Sequence, residues 1–198
     1  MVAPIPLRRR EPLRQVRRTQ LVPSSVLAML IFVITEVMFF AGFISAFTIM
    51  RGSAVIWPPL DQPRLPIGET AFNTVLLLAS GVLLWWAGRR VRVRPPRGRQ
   101  LLLASIVFGA GFVVLQGREW AQLLAQGLTL RSSALGSFFY LIVGMHALHA
   151  VVALGVLIWA WRRMSHGSVP PSTLAAAQIF WYFVVGVWPV LYWRVYLS

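Results

Sequence analysis

Five apolar stretches, each long enough to cross a lipid bilayer, make up most of this 198-residue chain. Backbone N–H and C=O groups cannot bond to water in hydrocarbon, so each stretch is predicted to be an α-helix. We therefore predict an all-α, polytopic membrane protein with five transmembrane helices. The stretches run from about Ser24 to Met50, Thr70 to Gly88, Leu101 to Gly117, Ala134 to Trp161 and Thr173 to Leu197.

Arginine supplies all 19 basic residues and is concentrated in alternate connecting segments. Such segments stay on the cytoplasmic side of a membrane, which predicts the amino terminus inside and the carboxyl terminus outside. Residues 1–23 are predicted to form a basic cytoplasmic tail without a cleaved signal, and residues 24–198 the transmembrane domain. The two main clusters are Arg8, Arg9, Arg10, Arg14, Arg17 and Arg18, and Arg89, Arg90, Arg92, Arg94, Arg97 and Arg99.

The net charge of +14 lies in short segments beside the apolar stretches. This placement favours anionic lipid headgroups over nucleic acid as the partner of the basic residues. Arg89, Arg90 and Trp57 are the candidate headgroup contacts. The chain has no cysteine, which excludes disulfides, thiolate metal sites and cysteine-held iron–sulfur clusters.

Glu36 is the most informative polar residue, because it lies near the middle of the first apolar stretch. A charged carboxylate at that depth costs roughly 2.5–3.5 kcal/mol on insertion scales. The side chain must therefore remain protonated or find a partner. Two interpretations stay open, a functional carboxyl group and a neutral, hydrogen-bonded structural one.

His146 and His149 lie near the middle of the fourth stretch, three residues apart and so on one helix face. Their depth matches that of Glu36, which allows a Glu–His contact between the first and fourth helices. The alternative is that backbone or water satisfies each histidine separately. Two histidines on one helix face cannot bracket a haem, and a catalytic metal needs about three convergent ligands. We therefore predict no metal or haem in this chain.

Glu119 follows the third stretch, between Arg118 and Trp120. The main interpretation is an interfacial ion pair or a helix-end charge, and the alternative is a functional carboxyl group inside the membrane. Small residues, including Gly109 and Gly111, would allow close helix contacts, although glycine is also common in membrane helices.

Four segments resemble subunit III of the haem–copper respiratory oxidases, in its shorter, five-helix form. The likeness covers roughly residues 26–193. The last stretch departs from the family, because Tyr182 and Val185 replace the usual His and Asp. The four segments are Thr35-Glu36-Val37-Met38-Phe39-Phe40-Ala41-Gly42; Trp57-Pro58-Pro59 with Phe72-Asn73-Thr74; Gln116-Gly117-Arg118-Glu119-Trp120 with Gly127-Leu128-Thr129 and Ser132-Ser133-Ala134-Leu135-Gly136-Ser137-Phe138-Phe139-Tyr140; and Gly144-Met145-His146-Ala147-Leu148-His149.

The resemblance implies a non-catalytic subunit of a cytochrome c oxidase in a bacterial-type plasma membrane. Such a subunit supports complex stability and the access of protons and oxygen. It implies haem and copper in partner subunits, a main contact with subunit I, contacts with subunit II and small subunits, and bound phospholipid. Glu36 maps onto the family's intramembrane glutamate.

Three alternatives remain at this point. Subunit III of a quinol oxidase and the accessory subunit of a nitric oxide reductase share the same motifs. An independent proton or ion carrier that uses Glu36 and His149 would be a protein of a different class.

Overall fold

The computed structural model describes residues 22–57, 63–167 and 169–197. Within these ranges the chain forms five helices apolar and long enough to span a membrane, and no β-strand, which confirms the predicted fold class. The helices are α1 (Ser24–Gly52), α2 (Ile67–Val91), α3 (Pro95–Ala125), α4 (Ala134–His166) and α5 (Pro171–Leu191), and α5 continues as a π-helix over Tyr192–Leu197. The predicted tail up to residue 21, and Pro58, Pro59 and Asp61 of the first connection, lie outside the described residues.

The helices extend beyond the apolar stretches that predict them. The segment from Arg89 to Arg99, predicted as a loop, is mostly helix, and only residues 92–94 separate α2 from α3. Likewise α3 continues through Arg118 to Ala125. The shortest membrane-spanning helix has 25 residues, about 37 Å at 1.5 Å per residue, whereas the hydrocarbon layer is about 30 Å thick. Charged residues lower local hydropathy, but they do not end a helix that leaves the membrane.

Proline and glycine mark several helix ends. Pro95 and Pro171 occupy the first helical positions of α3 and α5, where the missing N–H is not needed. Gly127 ends α3 with a φ of 93°, a conformation that disfavours residues with a Cβ. The N–H groups of Gly127 and Leu128 then donate to the carbonyls of Leu124 and Leu123, at 3.1 and 3.0 Å. This Schellman motif ends α3 at the end of the α2–α3 hairpin that lies opposite the connecting turn.

The centre of the bundle is α5, which packs against α1, α2 and α4. Its two tryptophans, Trp181 and Trp188, are fully buried. By contrast, α1 lies at the edge of the bundle, packs on α5 and α4, and buries only Phe40 and Phe47. Most of the apolar surface of α1 therefore needs lipid or another protein to cover it.

Indole N–H groups tie α5 to α2. Trp181 Nε1 donates to Ser80 Oγ at 3.0 Å, and Trp188 Nε1 donates to Thr74 Oγ1 at 2.9 Å. The Trp181 ring also lies against Gly109 of α3, where an added Cβ would come within 2.6 Å of Cζ2. Glycine at position 109 therefore permits this close approach of α3 and α5.

Candidate functional site

Glu36 and His149 form an ion pair between α1 and α4. Glu36 Oε2 lies 3.0 Å from His149 Nε2, and the two side chains are 19% and 10% exposed. The Glu–His contact that the matching depths allowed is therefore present in the structure.

Hydrogen-bond partners determine how many protons this pair holds. His149 Nδ1 lies 2.7 Å from the carbonyl oxygen of Met145, which can only accept, so Nδ1 must donate. A neutral ring then has no proton left on Nε2, and a carboxylate there would place two acceptors 3.0 Å apart. One further proton therefore lies between Nε2 and Oε2, and it makes the pair neutral as a whole. The rings of Phe32, Phe40, Phe180 and Phe183 surround His149.

His146 takes no part in this pair, although it lies on the same side of α4. Its side chain is 1% exposed and its ring lies 5.0 Å, centroid to centroid, from the Trp188 ring. Neither ring nitrogen has a hydrogen-bond partner among the described residues. His146 also lines a cavity of about 130 Å³ between α3, α4 and α5, beside Gln116 and Trp120.

Glu119 is neither an exposed helix-end charge nor a member of an ion pair among the described residues, so the main interpretation from the sequence was wrong. It lies inside α3 and is 2% exposed. Asn73 Nδ2 donates to Glu119 Oε1 at 2.7 Å, and Gln116 Nε2 donates to Oε2 at 2.8 Å. Thr70 Oγ1 also lies 2.8 Å from Oε2. Because α3 continues past residue 117, the carboxyl group faces α2 instead of water.

The sequence does not identify Thr70, Asn73 or Gln116 as partners of Glu119. A signal was present in the spacing. Thr70 and Asn73 are three residues apart on α2, as are Gln116 and Glu119 on α3, so each pair shares a helix face. Polar pairs on two consecutive apolar helices favour a contact across the hairpin, although sequence alone does not show which faces meet.

The described residues contain no group of three or more His, Cys, Asp or Glu side chains that could hold a metal ion. Glu36 and His149 supply two ligands, and the aromatic rings around them supply none. In the described part of the chain, this arrangement lacks the donor set of a metal centre.

A basic groove lies at the end of the α2–α3 hairpin that carries the arginines. It has a volume of about 620 Å³ and is lined by Trp86, Arg90, Arg97, Gln100, Leu101 and Ala104. Of the other candidate headgroup contacts, the Arg89 guanidinium lies 3.7 Å from the centre of the Trp85 ring, outside this lining. Trp57 packs against Phe47 near the opposite end of the bundle, with the Arg51 guanidinium 5.8 Å from its ring.

A second, apolar groove of about 370 Å³ separates α1 from α5. Val37 and Phe40 line it on one side, and Tyr182 and Val190 on the other. Val185, which replaces the Asp of the resembled family, lies instead against Gly81 of α2.

Comparison with known proteins decides the family. The sequence profile described as "Cytochrome c oxidase subunit III" matches residues 15–198, which include all five helices. The chain belongs to the cytochrome c oxidase subunit III family. The resemblance found in the motifs is thereby confirmed, and neither the quinol oxidase nor the nitric oxide reductase alternative is favoured.

Relatives of the subunit III family occur in bacteria and animals. "Cytochrome c oxidase subunit 3" of Thermostichus vulcanus is 30% identical over 178 residues, which cover 87% of this chain and 86% of the relative. Proteins of the same name from Pelomedusa subrufa and Mus musculus are each 32% identical and are each matched over 67% of their length. In both, the alignment covers 85% of this chain.

Proposed function

We propose that this chain is a non-catalytic subunit III of a haem–copper cytochrome c oxidase. It contacts subunit I, and with subunit II and small subunits it forms the assembly that reduces oxygen. The match to the subunit III family across the whole helical bundle is the observation that carries this proposal. The haem and copper of the reaction belong to the partner subunits.

The polar interior of the bundle supports a stabilising role. The Glu36–His149 pair and the Glu119 network each join two helices, and their groups are largely enclosed by their neighbours. Hydrogen bonds of this kind contribute about 0.6 kcal/mol each on average inside a membrane protein. In this role Glu36 fixes α1 on α4, so it holds the outermost helix on the bundle. The pair also supplies a proton-bearing group for any proton movement that the complex supports.

The partner surface includes α1. Its apolar side chains Ile34, Met38 and Ile49 are more than half exposed, and the other described helices leave them uncovered. Lipid covers part of such a surface in any membrane protein. In an assembly, a partner subunit covers another part of this apolar surface. Helix α1 is the best candidate for that contact, because it has the smallest buried share of the five helices.

Phospholipid binds at the two grooves under this proposal. Arg90 and Arg97 line the basic groove and can pair with a phosphate group, and Trp86 is an aromatic residue typical of the headgroup layer. The apolar groove between α1 and α5 is suited to acyl chains, because its walls are mainly aliphatic and aromatic.

The orientation follows from the arginines. Five crossings place the two termini on opposite sides, and the α2–α3 turn carries a dense basic cluster on the same side as the amino terminus. We assign that side to the cytoplasm of a bacterial-type plasma membrane.

Purification in mild detergent tests the assignment. A tagged chain should co-migrate with haem- and copper-containing subunits, and membranes that lack the chain should retain haem but lose oxidase activity faster during turnover. A homogeneous, haem-free oligomer that carries protons in liposomes would contradict the proposal and favour an independent carrier.

A further inference from the structure

A cavity of about 420 Å³ reaches Glu119 from the surface, at the end of the bundle where α2 begins. Glu69, Asn73 and Arg118 line it together with Glu119. The Glu119 carboxyl group is thus almost fully buried, yet it forms part of a cavity wall. The cavity connects this buried group with the surface of the bundle.

The two hydrogen-bond contacts of the Thr70 hydroxyl indicate the protonation state of Glu119. Thr70 Oγ1 is 2.8 Å from the carbonyl oxygen of Pro66 and also 2.8 Å from Glu119 Oε2. A hydroxyl has one hydrogen, and a backbone carbonyl can only accept. If Glu119 were ionised, both neighbours would be acceptors, and one of the two short O···O contacts would contain no hydrogen.

A neutral carboxyl group resolves this conflict. If Oε2 carries a proton, Oε2–H donates to Thr70 Oγ1 and Oγ1–H donates to the Pro66 carbonyl. The carbonyl-type oxygen Oε1 still accepts from Asn73 Nδ2 at 2.7 Å, and the hydroxyl-type oxygen Oε2 can still accept from Gln116 Nε2 at 2.8 Å. Every short contact of the carboxyl group then contains one hydrogen.

The described surroundings of Glu119 offer no ion-pair partner that would favour the carboxylate. Among the described residues, no arginine or histidine lies within ion-pair distance of Glu119. Glu69 and Arg118 share the cavity with opposite formal charges, Tyr196 of the π-helix accepts from Gln116 Nε2 at 3.3 Å, and His146 of α4 lines the next cavity beside Gln116. The donors that touch Glu119 are all neutral groups.

We propose that Glu119 is a proton-binding site that holds a proton in the folded chain and exchanges it with water through this cavity. When the proton leaves to water, the Thr70 hydroxyl turns to the carboxylate and the Pro66 carbonyl loses that donor. Thr70 N–H remains on the same carbonyl at 3.1 Å. Proton release therefore weakens the first turn of α2, which connects the occupancy of the site to the start of that helix.

Infrared spectroscopy of the chain, in whichever assembly it purifies, tests this inference. The wild-type minus Glu119→Gln difference spectrum at neutral pH should contain the carbonyl stretch of one protonated carboxyl group, shifted in D₂O. The stretch should disappear reversibly as the pH of the wild-type protein is raised. Glu69→Gln is the matched control, because it removes an exposed carboxyl group from the same cavity and should remove carboxylate bands instead.

Thr70→Val provides a second readout that keeps Glu119 in place. Loss of the accepting hydroxyl should move the protonated-carboxyl stretch to higher frequency without removing it. Carboxylate bands in the Glu119→Gln difference spectrum, or no change of the stretch in Thr70→Val, would overturn the proposal. Because either variant assigns the stretch to Glu119, a folding failure in one of them leaves the test intact. The identity of the co-purifying subunits tests the oxidase assignment separately.

Discussion

Ser80 on α2 and Ser105 on α3 exchange hydrogen bonds, so that each hydroxyl donates to the backbone carbonyl of the other residue at 2.8 and 2.9 Å. Ser80 Oγ also accepts from the buried indole of Trp181. One small polar cluster thus joins three helices in a region where both serine side chains are fully buried.

Removing either serine hydroxyl should lower the free energy of unfolding. Ser80→Ala leaves the Trp181 N–H without its acceptor and the Ser105 carbonyl without its donor, so we expect a loss of about 1–2 kcal/mol in unfolding free energy. The double variant Ser80→Ala/Ser105→Ala removes two hydroxyl donors whose acceptors are separate backbone carbonyls, so its loss should be close to the sum of the single losses. Equilibrium unfolding in mixed detergent measures all three variants, and wild-type stability of either single variant would contradict the reciprocal bonds.

Gly109→Ala should destabilise the contact between α3 and α5. The new methyl group would approach Trp181 Cζ2 and Cη2 to 2.6 and 2.8 Å, and Trp181 has no exposed side to move towards. Overpacking of this kind costs about 1–3 kcal/mol. Gly111→Ala, two residues away on the same helix, is the control, because an added Cβ there meets nothing within 4 Å. Equal melting temperatures for the two variants would show that the close approach is absent.

Glu36 and His149 should show energetic coupling. Glu36→Gln and His149→Phe each remove one partner, and a double-mutant cycle should give a coupling of about 1 kcal/mol, within the range measured inside membrane proteins. His166→Gln, at the exposed end of α4, controls for the loss of a histidine. Wild-type melting curves for both single variants would count against a structural pair.

Arg90 and Arg97 should retain anionic phospholipid during purification. Each arginine near an anionic surface contributes about 1 kcal/mol to the attraction, so Arg90→Gln/Arg97→Gln should strongly reduce the anionic lipid that co-purifies. The control Arg92→Gln/Arg94→Gln removes the same charge from the same turn, outside the lining of the basic groove. Mass spectrometry of bound lipid distinguishes the two variants, and equal losses would indicate a diffuse charge effect without a site.

The sequence predicts the number and type of elements well, because about 20 apolar residues in a row have few alternatives to a membrane helix. It also predicts that Glu36 and His149 can meet, since counting residues from the helix ends gives the depth of each. Depth is readable from the sequence because the membrane supplies a common reference plane.

The sequence does not predict which face each helix turns towards its neighbours, or the residue at which each helix ends. Glu119 was read as a helix-end charge because hydropathy falls after Gly117, whereas α3 continues to Ala125. Which face of α3 meets α2 depends on the packing of Ser105, Gly109 and their neighbours, and a single apolar stretch does not encode that angle. The hydrogen-bond partners of Glu119 therefore cannot be identified from the sequence alone.

The edge position of α1 affects how the chain is made. The ribosome delivers α1 to the bilayer first, but it delivers last the two helices on which α1 rests. Until α4 brings His149 into the bilayer, the Glu36 side chain needs either a bound proton or another hydrogen-bond partner. Mutations that slow the insertion of α4 or α5 should therefore lower the yield of newly made chain more than the stability of the folded chain.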